Sequence, residues 1–234
     1  MTVTLVFFIV MVGIAVWWLL HQQLNAKSWL QEGVIENGRG SGTLPMPAPK
    51  VGLLVFLAVV SSLFALLIGA YFMRMGFPDW RSLRLPRILW LNTGALILCS
   101  AALQGAQAAV HRRNMDATRT LLLIGGAFGV AFVAGQLQAW VQLASARETV
   151  NLNPSNSFFY LLTGLHGLHV LGGLIALGIT SDIVWRTAAS ARVRLSIEMC
   201  ATYWHFLLIV WLILFGLLSG RADDLGRICS QFIS

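Results

Sequence analysis

Three histidines and one glutamate stand inside stretches that are otherwise apolar. His166 and His169 lie three apart in T-G-L-H-G-L-H-V-L-G-G over residues 163–173, and His205 lies in Y-W-H-F over 203–206, seven residues after Glu198. Imidazoles and a carboxylate are suitable ligands for first-row metals, and paired histidines of membrane helices can hold a haem. Buried Glu and His in a membrane can also relay protons. The spacing argues against a six-coordinate haem. On a helix Thr163, His166, His169 and Gly173 form one narrow stripe, so both imidazoles share a face, whereas axial ligands must approach a macrocycle from opposite sides. Polar side chains in lipid need partners, so the stripe is expected to face protein. Glu198, Thr202 and His205, at spacings of four and three, likewise share a face. Glu198 follows Arg194 by four residues, and its plain alternative role is a headgroup-level carboxylate that caps a helix N-terminus or pairs with a basic neighbour.

The elements that carry these residues are transmembrane helices. The 234-residue chain is 57% hydrophobic and only 11% charged, far below the charged share of about a quarter in globular proteins. A bilayer core needs about 20 apolar residues per helix, and six runs meet that length: 3–20, 51–73, 88–110, 121–145, one ending near 185, and 197–219. The class is therefore all-α, a polytopic membrane protein with one N-terminal helix and a five-helix bundle. Trp17 and Trp18 end the first run as an interfacial belt would, and that run lacks a basic leader and a small-residue cleavage site, so it reads as a retained helix. The polar connection 21–50, with G-R-G-S-G and P-M-P-A-P, separates it from a bundle over 51–220, and a short tail occupies 221–234.

The net charge of +7 comes from Lys and Arg placed singly or in pairs between the apolar runs. They read as topological anchors, not as a nucleic-acid surface. The two sides of the membrane carry seven and nine of them, the larger number on the side away from the termini. That bias favours both termini outside. Cys99, Cys200 and Cys229 are scattered singly and read as packing residues, with no disulfide or metal pattern. Asn92, Gln104, Gln107, Gln136, Gln138 and Gln142 interrupt the third and fourth runs and are expected to bond between helices. Gly125, Gly126, Gly129, Gly164, Gly167, Gly172 and Gly173 would let helices approach closely.

The run S-F-F-Y-L-L-T-G-L-H-G-L-H-V-L-G-G over 157–173, followed by Glu198 and Y-W-H-F-L-L-I-V-W over 203–211, resembles subunit III of the haem-copper cytochrome c oxidases. The resemblance covers about 51–220 and is strongest in the last two helices. It implies an accessory, non-catalytic subunit with no haem or copper of its own, those groups being held by partner subunits. It implies packing against the catalytic subunit I, with subunit II in the same complex, bound phospholipid, and assistance to proton uptake. By resemblance His166, His169, Glu198, Tyr203, Trp204, His205 and Trp211 are helix-packing, lipid-contact or subunit-interface positions. Beside the family's larger members, a count of six helices implies that one helix of the N-terminal pair is missing. Aligning Gly52, Phe56, Phe64, Ala70 and Tyr71 also puts Val60 where many members carry a buried glutamate, and Leu208 stands where an aspartate is frequent. The expected setting is a bacterial inner membrane. Two other functions compete: the subunit III-like partner of a nitric oxide reductase, and an independent haem- or metal-binding membrane redox protein.

Overall fold

The computed structural model describes residues 48–78, 80, 86–145, 154–187 and 190–219. The helix expected over 3–20, nearly all of the connection 21–50 and the tail 221–234 lie outside the described residues. The chain divides into two compact units, Met1–Ala58 and Val59–Ser234. Five of the six expected helices lie among the described residues: α1 (Ala48–Met75), α2 (Ile88–His111), α3 (Met115–Ser145), α4 (Pro154–Arg186) and α5 (Ala191–Leu218). All five are long and apolar enough to cross a membrane, and no strand occurs among the described residues.

Two helices start well before the apolar runs expected for them, α3 six residues before 121 and α5 six before 197. Hydropathy marks what sits in lipid, whereas a helix begins where its first amides find a cap. Asn114 supplies one cap, its Oδ1 accepting from the Ala117 amide at 3.1 Å. Ser190, in extended conformation, supplies the other, its Oγ accepting from the Val193 amide at 3.3 Å. The same Asn114 closes α2. Its amide donates to Ala109 O while the Arg113 amide donates to Val110 O, both at 3.1 Å, and Arg113 takes a φ of 57°. This is a Schellman turn with arginine in the left-handed position that glycine usually fills. A connection of only three residues therefore reverses the chain. Pro154 opens α4, where its missing amide costs nothing.

Within the second unit, α2 packs on α3 and α5, and α4 packs on α3 and α5, which closes an antiparallel ring of four. Trp204, Trp211, Phe132 and Phe159 are fully buried in it. Large aliphatics point outward as well, among them Val130 on α3 and Leu168 and Ile175 on α4. Lipid is as apolar as a core, so burial inside such a ring is decided by shape and polar pairing.

Candidate functional site

The motif of α4 buries one face. Thr163, His166, Val170, Gly173 and Leu177 are buried at spacings of three and four. His166 is fully enclosed. Its ring lies 5.2 Å from Trp211, 5.7 Å from Phe132 and 6.4 Å from Phe64, centroid to centroid. Nε2 lies 3.1 Å from Leu207 O on α5. A carbonyl only accepts, so Nε2 carries the proton, and Nδ1 faces the interior without a hydrogen-bond partner. His169 is half-buried. Its Nδ1 donates to Leu165 O at 2.8 Å in its own helix, and its ring leans on Phe64 at 5.6 Å. The one-stripe expectation thus holds for Thr163, His166 and Gly173, while His169 sits at the stripe's edge.

Around this core, the indole N–H groups of Trp211 and Trp140 are served by threonines that are themselves tied to backbone. Trp211 Nε1 donates to Thr93 Oγ1 at 3.0 Å, and that hydroxyl donates to Leu89 O at 2.8 Å. Trp140 Nε1 donates to Thr163 Oγ1 at 3.1 Å, which donates to Phe159 O at 2.6 Å. Tyr203 OH donates across to His169 O at 2.9 Å. Asn92 and Gln136, both buried, join α2 to α3 at 3.4 Å. Gln138 and Gln142, by contrast, lie on the exposed side of α3, a correction to their expected place between helices. Their spacing is the same as that of a bonding pair, but the partner decides.

Only some of the glycines work as expected. A Cβ on Gly129 would stand 2.7 Å from Trp204 Cη2 and 2.9 Å from Leu174 Cδ2, and one on Gly173 would meet Tyr203, Leu207 and Trp204 at 3.1–3.3 Å. The space they release is filled by the Trp204 indole. A Cβ on Gly167 would meet nothing within 4 Å. Gly135, which carried no signal in the motif, matters more: a Cβ there would collide with the Asn92 amide.

His205 and Glu198 belong to a different place, the outer junction of α2 and α5. Ser100 Oγ is at hydrogen-bond distance from His205 Nδ1, and His205 Nε2 lies 2.8 Å from Gln104 Oε1. Glu198 Oε1 lies 3.6 Å from His111 Nε2. Glu198 stands in the third turn of α5, so it does not cap the helix; Ser190 does. Sequence reasoning missed Ser100 and His111, although Ser100, Gln104, Gln107 and His111 follow one another at spacings of four, three and four. It also missed the Phe64 and Phe132 walls, which apolar segments cannot mark out. Val60, at the position of the family's glutamate, is buried.

No group of three or more His, Cys, Asp or Glu is disposed to hold a metal among the described residues. His166 and His169 are both turned to backbone carbonyls, and Cys99 and Cys200 are buried free thiols; Cys229 lies outside the described residues. Cations gather at the helix ends instead. Arg119 lies over the Trp185 ring at 5.0 Å, and Arg186 Nε pairs with Asp182 at 2.7 Å, as suits a headgroup-level rim.

Membrane-length helices whose polar groups are spent mainly on holding one another define a multi-pass helical membrane protein. The family model of cytochrome c oxidase subunit III matches residues 5–219. The chain belongs to that family. It is 32% identical over 178 residues to cytochrome c oxidase subunit 3 of Thermostichus vulcanus, covering 72% of this chain and 85% of the relative. To the same subunit of a Synechocystis species it is 32% identical over 173 residues, 70% and 72% of the two chains. To the probable cytochrome c oxidase subunit 3 of Nocardia farcinica it is 31% identical over 175 residues, 71% and 85% of the two chains. As an oxidase subunit III it works within a respiratory complex with other oxidase subunits.

Proposed function

We propose that this chain is the accessory, non-catalytic subunit of a proton-pumping haem-copper terminal oxidase in a bacterial inner membrane. It packs against the catalytic subunit I, stabilises it, retains phospholipid and assists proton uptake. Haem and copper reside in the partner subunits, with subunit II among them. In this reading residues 51–220 form the bundle that meets subunit I, 1–20 add a separate membrane helix, 21–50 connect the two outside the membrane, and 221–234 form a tail. Both termini lie outside, in keeping with the nine-to-seven bias in basic residues.

The observation that carries the reading is the fate of His166. Enclosed by Phe64, Phe132 and Trp211 and donating to Leu207 O, it serves to lock α4 to α5. A side chain bound in this way supports a packing role for the motif: Trp204 and Trp211 as core residues, Tyr203 and His169 as a second tie between the two helices, and His205 and Glu198 as interface positions.

The test is removal of this chain from the purified oxidase. Slower initial turnover, faster inactivation during turnover, or poorer assembly of the remaining subunits is the expected outcome. Unchanged values of all three would refute the proposal. Haem spectra and oxygen consumption of the co-purified assembly separate a terminal oxidase from a nitric oxide reductase.

A further inference from the structure

The outer junction of α2 and α5 is a polar seam on a surface that should be greasy. On α2, Ser100, Gln104, Gln107 and His111 line one face; on α5, Glu198, Thr202 and His205 line the face opposite. The helices run antiparallel, and His111 to Gln104 spans the same seven residues as Glu198 to His205, about 10 Å along each axis. His111 with Glu198 and Gln104 with His205 are therefore two rungs of one ladder. The ladder is open to the outside: Gln104 and Thr202 are exposed, and Glu198, His205 and Gln107 are partly so. The α2 helix of 24 residues is about 36 Å long, slightly more than the bilayer core of about 30 Å. Gln104 thus lies several ångströms below the hydrocarbon edge, where an amide facing acyl chains is costly.

We infer that this seam is covered, in the assembled oxidase, by a transmembrane helix of a different oxidase subunit that brings a hydrogen-bond acceptor to the depth of Gln104. The inference rests on the accessory-subunit reading above. The acceptor follows from proton placement. Ser100 Oγ–H donating to His205 Nδ1 and His205 Nε2–H donating to Gln104 Oε1 satisfies the neutral ring, and the Gln104 amide then offers its N–H donors to the exposed side. A carboxylate, amide or hydroxyl oxygen answers them. The helix follows from Ala101 and Ala108, exposed three residues before and four after Gln104. Small residues flanking a polar one permit the backbone approach that such a bond needs. The outward face of α4 differs, with Leu161, Leu168 and Ile175 exposed, as suits acyl chains. Lipid offers acceptors at its headgroups, near His111 and Glu198, but none at the depth of Gln104. In a two-fold pairing of this chain with a second copy, Gln104 would meet Gln104, whose Oε1 already accepts from His205.

A photo-cross-linking residue at Ala101 or Ala108, introduced in cells that assemble the complete oxidase, reads the occupant directly. Adducts with another oxidase subunit are expected. Adducts with lipid alone, or with a second copy of this chain, overturn the inference. Gln104→Leu should lower recovery of the partner subunits with this chain by about fivefold or more at equal abundance in the membrane, while Gln138→Leu, at an exposed amide on α3, should leave recovery unchanged. Equal recovery for both variants also overturns it. Failure of the unaltered chain to bring down any oxidase subunit would instead sink the accessory-subunit reading and the seam with it.

Discussion

His166 and His205 stand on neighbouring helices of the same ring, each in a position to donate from Nε2, yet they serve different ends. His166 donates to a main-chain carbonyl and is walled by three aromatic rings. His205 is held by Ser100 and by the side chain of an exposed glutamine. The first arrangement is closed, with its bonding directed inward. The second is a relay that ends at the surface. A polar residue in a membrane helix is therefore not a single kind of signal: what it means depends on whether its chain of bonds ends in the backbone or at the outer face.

The sharpest way to break this contrast is Trp211→Ala. It removes a fully buried indole that touches Phe132, His166 and Phe215 and donates to Thr93, and the expected cost is about 3–5 kcal/mol, read by thermal unfolding of the detergent-solubilised protein. A loss near zero would mean the His166 region is not a closed core. Next is Gly129→Val, which drives a side chain into Trp204 and Leu174 at an expected cost of about 1–3 kcal/mol. Gly167→Ala, with open space around its Cβ, serves as the neutral companion. His166→Leu should change stability by less than about 1.5 kcal/mol, because it removes a buried polar group whose Nδ1 is unpartnered and keeps an apolar filling. A much larger loss, or a change in the haem or metal content of the purified complex, would assign the imidazole more than packing. The smallest effect belongs to Glu198→Gln. Its His111 partner is about half exposed, so under about 1 kcal/mol is expected. A loss well above that would draw the seam into the closed class.

The motif residues were legible because their types are rare in lipid and their spacing puts them on shared faces. The 157–173 and 203–211 runs, with Glu198 between them, identified the family from the letters alone. Helix starts were less legible: Asn114 and Ser190 cap helices among polar residues, where hydropathy is silent. The amides divided in a way spacing could not foretell, Gln136 inward to Asn92 and Gln138 outward. Gly135 carried no pattern at all, since its importance lies in the Asn92 side chain opposite, 43 residues earlier in the chain.

From its amino acids alone, this protein's membrane class, the places of its described spans and its subunit III kinship were already determined, because bilayer thickness and the cost of polar groups in lipid act on each segment separately. Which imidazole is sealed and which remains within reach of a neighbour was decided only by the packing of α2, α4 and α5 against one another. Periodicity assigns a residue to a face of its own helix, but the groups that meet that face come from distant parts of the chain.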